Sequence, residues 1–122
     1  VEPVEINAGD WYLRGPRADD RVDDRASLAE LGETDPQYVA RAAAGWADET
    51  RYTWAVCEPT TGELLAEVVL DPASGVLSAR ARAGRRGAAQ AGAESASRFA
   101  AGALGLTPSV AAVSEAGGTP AS

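Results

Sequence analysis

Apolar positions along the chain change period near Thr50, where a helix-like spacing of three and four gives way to runs with strand character. Before that point, Trp11-Tyr12-Leu13-Arg14 is a short β-prone run stopped by Gly15-Pro16 and predicts a first strand. From Asp19 or Asp20 onward, Val22, Ala26, Leu28, Ala29 and Leu31 recur at helical spacing, with Asp19, Asp20, Asp23 and Asp24 near the end where a helix dipole favours acids. Gly32 ends that helix. Asp35-Pro36 then reads as an N-cap followed by proline at the first helical position, and Val39, Ala42, Ala43 and Trp46 carry one apolar face of a second helix from about 36 to 47.

Beyond Thr50, residues 51 to 58 and 63 to 70 are strand-like, and Pro59-Thr60-Thr61-Gly62 between them is turn chemistry, which predicts an antiparallel hairpin. Asp71-Pro72-Ala73-Ser74-Gly75 forms another turn and leads into a third central strand from Val76 to about Arg82. Residues 86 to 104 return to helical spacing through Ala89, Ala93, Ala96, Phe99, Ala100, Ala103 and Leu104, with Gly105 as the stop. Such small side chains imply close packing on a sheet. Pro108 to Ser114 is a last short strand, and residues 117 to 122 are expected to be mobile. The order β-α-α-β-β-β-α-β makes a single mixed α/β domain over residues 1 to 122, with helices covering a sheet.

The junction between the third central strand and the alanine-rich helix carries the main candidate chemistry. In Ala83-Gly84-Arg85-Arg86-Gly87-Ala88-Ala89-Gln90, a glycine-rich turn opens a helix, so unpaired backbone N–H groups and the positive end of the dipole converge where small residues admit a phosphate. Arg85 and Arg86 add two charges to this anion cradle. An ordinary basic helix start is the alternative reading of the same residues.

Composition narrows the chemistry further. The 122 residues contain no histidine, which removes the commonest general base, metal ligand and nucleophile partner, and leaves carboxylates, tyrosine, water and backbone to act. One cysteine, Cys57, excludes an intramolecular disulfide framework and a cysteine metal cluster, and its apolar strand marks an inert buried thiol. Net charge is -7, which disfavours nucleic acid and favours cationic ligands such as amines. Residues 1 to 50 hold twelve acids and five arginines, whereas 51 to 122 hold six of each, so Arg80, Arg82, Arg85 and Arg86 cluster in a neutral half. No apolar run is long enough to cross a bilayer and no signal peptide opens the chain, so no membrane association and a cytoplasmic location are expected.

The element order, with the cradle after the third central strand, resembles the GNAT acyl-CoA N-acetyltransferases, particularly the branch typified by ribosomal-protein N-terminal acetyltransferases. The likeness rests on Tyr12-Leu13-Arg14 before an acidic two-helix segment, on Trp54-Ala55-Val56 followed by Thr61 to Leu70, and on the cradle helix ending at Leu104-Gly105-Leu106. It implies a mostly antiparallel central sheet flanked by helices, with acetyl-CoA as cofactor and an amine as substrate. The family signature Q/R-x-x-G-x-G/A is matched by Gly87 and Ala89 but begins with Gly84, arginine having moved one place along. By the same resemblance, Gly84, Arg85, Arg86, Gly87, Ala88 and Ala89 would bind the cofactor diphosphate. Ala79, Arg80 and Ala81 would lie beside the pantetheine arm, in a cleft between strands 76 to 82 and 109 to 115.

A family segment like N-x-A-S is matched by Thr119-Pro120-Ala121-Ser122, after which the family's further helix, its general-acid tyrosine and the closing strands are missing. The chain is expected to be either an excised piece or a natural short member. Glu67, which interrupts an apolar strand, is the candidate general base, its other reading being an outward residue on a period-two face; Glu58 and Ser122 are weaker candidates. A non-catalytic acyl-CoA-binding or protein-interaction module is the competing function. The uncharged edge Val110-Ala111-Ala112-Val113 predicts self-association through the last strand.

Overall fold

A computed structural model describes residues 1–117. Six strands, β1 (Ile6–Ala8), β2 (Trp11–Arg14), β3 (Tyr52–Cys57), β4 (Leu64–Asp71), β5 (Val76–Ala81) and β6 (Ser109–Glu115), lie side by side in chain order. All neighbours pair antiparallel except β5 and β6, which run parallel because the helix α3 (Arg86–Leu104) carries the chain back along the sheet between them. Helices α1 (Arg25–Glu30) and α2 (Tyr38–Asp48) connect β2 to β3 on the opposite face. This is the mixed α/β sheet, flanked by helices and mostly antiparallel, expected from the sequence.

The hairpin β3–β4 holds the centre. Every residue of β3 is buried, and Tyr52 opposite Leu70, Trp54 opposite Val68 and Val56 opposite Ala66 place one row of side chains under α3. That helix lies unusually close: a Cβ on Gly92 would come within 2.6 Å of Val56 Cγ2 and 2.9 Å of Val68 Cγ2. Ala88, Ala89, Ala93, Ala96 and Ala100 complete the buried stripe. At the other end of β3, Trp46 of α2 stacks on Tyr52 with ring centroids 4.6 Å apart, and Trp54 meets Trp46 and Phe99 edge-on. The three large rings Trp46, Tyr52 and Trp54 are core, each fully buried aromatic of this kind contributing on the order of 1.5 to 3 kcal/mol.

Three elements differ from the sequence-based expectation. Helix α2 starts at Tyr38 behind Gln37, and Asp35 turns its carboxylate onto the Gln37 N–H instead of capping the helix. The first helix begins at Arg25 rather than at Asp19 or Asp20. Asp19 instead folds its carboxylate onto the N–H groups of Arg21 and Val22 at 2.9 and 3.0 Å, closing a turn that competes with a helix. Asp24 is drawn away to Arg14, with Nη1 and Nη2 at 2.7 and 2.9 Å, and also accepts from Arg17 N–H, which fastens the start of α1 to β2. Strand β1, three residues before the turn at Gly9, was not anticipated. A run so short carries no periodic signal.

Among the described residues, β6 is an edge strand, paired only with β5, and Val110 is 49% exposed. The segment 119 to 122, with Ser122, lies outside the described residues.

Candidate functional site

Alternation along β3, β4 and β5 sends Thr53, Glu67, Ser78 and Arg80 to the face opposite α3, where α1 and α2 form a less complete cover. Glu67 is buried to 1% exposure and is therefore not the outward residue that its period-two position allowed. Its Oε2 accepts the Tyr38 hydroxyl at 2.7 Å and its Oε1 accepts Arg80 Nε at 2.8 Å. Arg80 continues to Glu33 at 3.2 Å. The guanidinium carbons of Arg41 and Arg80 sit 5.8 and 5.7 Å from the centre of the Tyr38 ring, which fixes the ring between two cations. Burial and the neighbouring Glu67 carboxylate push the Tyr38 phenol up to about 12, so it stays protonated and acts as a hydrogen-bond donor at neutral pH.

Two cavities open on this network. One of ≈ 250 Å³ is lined by Glu67, Ala79, Arg80, Ser78, Ser114 and Arg51, and an adjoining one of ≈ 500 Å³ shares Glu33 and Arg51 with it and runs along α2 past Tyr38 and Thr53. Glu67 and Arg80 thus meet in one place, and Ala79 borders it although its side chain lies on the core face of β5. Ala81 lines neither cavity, its side chain being fully buried in the core under α3.

The cradle lies at the next turn. Gly84 has φ +77°, a left-handed conformation that glycine adopts without strain, and neither Gly84 nor Gly87 has any atom within 4 Å of where a Cβ would stand. Arg85 and Arg86 are exposed and carry no ion pair among the described residues, whereas Arg82 is tied to Glu30 and Glu63. Ala88 and Ala89 turn their side chains into the core and their N–H groups onto the Arg85 carbonyl at 3.0 and 3.4 Å. The N–H groups of Arg86 and Gly87, first in α3, have no acceptor within the helix. The cradle already holds one anion: Glu115, the last residue of β6, accepts the Gly84 N–H at 2.7 Å. Ser114, its neighbour, faces the opposite side and lines the Glu67 cavity, so β6 joins the two places through adjacent residues.

The expected cleft between β5 and β6 is closed. The strands pair from Val76 with Ser109 to Ala81 with Glu115, with one irregularity between Leu77 and Ser78, and Ala116 N–H continues to Ala81 O at 2.7 Å. With β4 on its other edge, β5 has its backbone at Ala79 to Ala81 committed to ladders. The cause is local: six of the seven residues of β6 pair with β5, Ala111 being passed over at the irregularity, and satisfying its backbone against β5 is its one option among the described elements.

Glu33, Tyr38, Arg51, Thr53 and Ser114 were missed from the sequence. Tyr38 stands at the buried start of α2, 29 positions from Glu67, a separation that no local spacing rule reaches. Cys57 is fully buried, burial pushes its thiol up to about 11, and it reaches neither cavity. Glu58 accepts the Thr61 N–H in the hairpin turn and marks the strand end. Among the described residues no set of three acidic or cysteine side chains could hold a metal, and no helix is long and apolar enough to cross a membrane.

No protein-family model and no curated protein matches the sequence. Among solved structures, the fold is similar to that of a putative ribosomal-protein-serine acetyltransferase from Vibrio cholerae, with TM-score 0.64 and 16% identity over 87% of this chain and 72% of that one. At that identity the likeness establishes the fold alone, and the chain has a GNAT-like architecture.

Proposed function

We propose that the chain is an acetyl-CoA-dependent N-acetyltransferase that passes the acetyl group directly to an amine. The observation that carries this reading is the seat of the Glu115 carboxylate on the Gly84 N–H, beside two arginines at the start of α3 that carry no ion pair among the described residues, and one residue along β6 from the Glu67 cavity. A place that holds one carboxylate on a backbone donor has the chemistry to hold a diphosphate once that carboxylate leaves. Acetyl-CoA would supply an activated acyl carbon: the amine nitrogen forms the amide bond, the carbon–sulfur bond breaks, and the thiol leaves protonated. Arg85, Arg86 and the N–H groups of Gly84, Arg86 and Gly87 bind the diphosphate. Arg80 and Ala79 border the cavity that the acyl end of the cofactor enters, whereas Ala81 stays in the core.

Glu67 accepts the proton lost by the amine, directly or through water, while Tyr38 and Arg80 hold its carboxylate in place. Glu33, at the junction of the two cavities, guides the cationic amine inward. The test is release of free thiol from acetyl-CoA over a panel of amines, with turnover that fails in Glu67→Gln. Absence of thiol release with every amine, in protein that binds CoA, rejects catalysis.

A second reading has its own support. The closed β5–β6 pair and the occupied Gly84 N–H suit a GNAT-like module that binds acyl-CoA weakly or serves as an interaction scaffold, with the open edge of β6 as the surface for a second copy. Glu115→Gln separates a CoA-binding chain, whose CoA affinity it raises several-fold by removing a competing charge, from a scaffold, which binds no CoA in either form; thiol release then separates an enzyme from a weak acyl-CoA binder.

A further inference from the structure

Arg51 and Thr53 stand two residues apart where the chain enters β3, so both face α2, and both line the ≈ 500 Å³ cavity. The other charges of that cavity already have partners. Arg41 is paired with Asp35, Glu33 with Arg80, and Asp48 accepts the Thr50 N–H at 3.1 Å and its hydroxyl at 2.5 Å. Arg51 has no ion pair among the described residues, and Thr53 Oγ1 is the one buried side-chain polar atom there without a hydrogen-bond partner. Leaving such a hydroxyl unpaired is costly, because it has given up water without gaining a partner. An uncompensated guanidinium two residues from an unpartnered hydroxyl is a constellation for an oxygen anion.

Two features narrow the anion. Glu33 and Asp48 border the same cavity and repel a dianionic phosphate, whereas a carboxylate brings one charge to one unpaired arginine. Arg51 also borders the ≈ 250 Å³ cavity, and once a carboxylate neutralises Arg51 the charges left at that junction are Glu33 and Glu67 against Arg80 alone, which favours a cation. We propose that the acyl acceptor is a small zwitterion, an amine that carries its own carboxylate as a free amino acid or short peptide does. Arg51 and Thr53 take the carboxylate, and Glu33 and Glu67 draw the ammonium end. Arg51, which is exposed, makes first contact. Thr53 is fully buried, so its hydroxyl meets the carboxylate only if the cavity-wall side chains shift, which titration of Thr53→Val reads. The substrate class rests on the acetyltransferase reading; the carboxylate site itself does not.

Calorimetric titration of the whole chain, without CoA, would use L-alanine, L-serine and alanyl-alanine against ethylamine, ethanolamine and alanyl-alanine amide. The carboxylate-bearing ligands should bind at least tenfold more tightly than their counterparts, and Arg51→Gln should abolish that preference. Thr53→Val, nearly isosteric and freed of an unpaired hydroxyl, should raise the melting temperature while weakening the same ligands. CoA affinity measured on the same samples separates this site from the cradle. Equal binding of acids and their decarboxylated or amidated counterparts, or undiminished preference in folded Arg51→Gln, overturns the carboxylate site even where CoA binds normally.

Discussion

On the α3 face of the sheet, helix and strands meet through Gly92 and a stripe of alanines, with no charged side chain among the buried residues of that cluster. On the α1–α2 face the same three central strands present Thr53, Glu67 and Arg80 to two cavities, and buried carboxylates are held by Arg14, Arg80 and Tyr38. The first face is stabilised by contact and tolerates no added volume. The second surrenders contact for polar groups held in place, at the desolvation cost that buried charges carry. A sheet two side chains thick lets one surface secure the fold while the other is free to be a site.

Breaking the polar face at its centre should have the largest effect. Glu67→Ala leaves the Tyr38 hydroxyl without its acceptor and Arg80 with only Glu33, and should destabilise by about 3 kcal/mol, the low end for a broken buried pair because Arg80 remains part-exposed. Glu67→Gln keeps shape and much of the hydrogen bonding, so it should lose turnover roughly 10²-fold with a far smaller loss of stability. Denaturant unfolding beside thiol-release rates checks the pair of variants. Equal turnover in Glu67→Gln and the parent would assign this carboxylate to structure.

The apolar face yields next. Gly92→Val must push aside Val56 and Val68 and should cost about 1 to 3 kcal/mol by thermal unfolding. Gly87→Val, with open space around its Cβ, should leave the melting temperature unchanged and instead weaken CoA binding by obstructing the approach to the backbone. If Gly87→Val unfolds the chain and Gly92→Val does not, the division between packing and site is misplaced.

A smaller effect comes from pH. Tyr38 titrates in the unfolded chain near the ordinary value of 10 and in the fold near 12, the neutral phenol being favoured by burial and by Glu67. Its contribution is therefore complete below pH about 10 and is lost as the pH rises towards 12. Cys57, raised from 9 to about 11, acts in the same sense over a lower range. Unfolding free energy should fall through this alkaline window, and Tyr38→Phe should flatten its upper part. A parent and a Tyr38→Phe profile that coincide would separate the phenol from the network.

The two faces were unequally legible in the sequence. Strand alternation, the Pro59 to Gly62 turn and the small-residue helix are local patterns, so the sheet order and the α3 packing could be anticipated. Glu67 was noticeable as a charge inside an apolar run. Its network was not, because its partners Tyr38 and Arg80 stand on α2 and β5, Glu33 beyond Arg80 lies in the loop before α2, and only the fold brings them together. The start of α1 was misplaced because Asp19 and Asp24 look alike as helix-start acids, yet one closes a turn on its own backbone and the other reaches Arg14. The seal between β5 and β6, and the seat of Glu115 on Gly84, 31 positions away, follow from a register set across the whole length of α3.

The central claim, that the turn at Gly84 to Ala89 is an anion cradle for the diphosphate of CoA, is tested most directly by calorimetry with CoA. The parent should bind, and the double variant Arg85→Glu, Arg86→Glu should bind more than tenfold less tightly, since each lost charged hydrogen bond is worth about 1.5 to 3 kcal/mol. Both arginines are exposed and carry no ion pair among the described residues, so the variant should keep its fold and its melting temperature. No binding by the parent, or equal affinity in the folded double variant, would contradict the account.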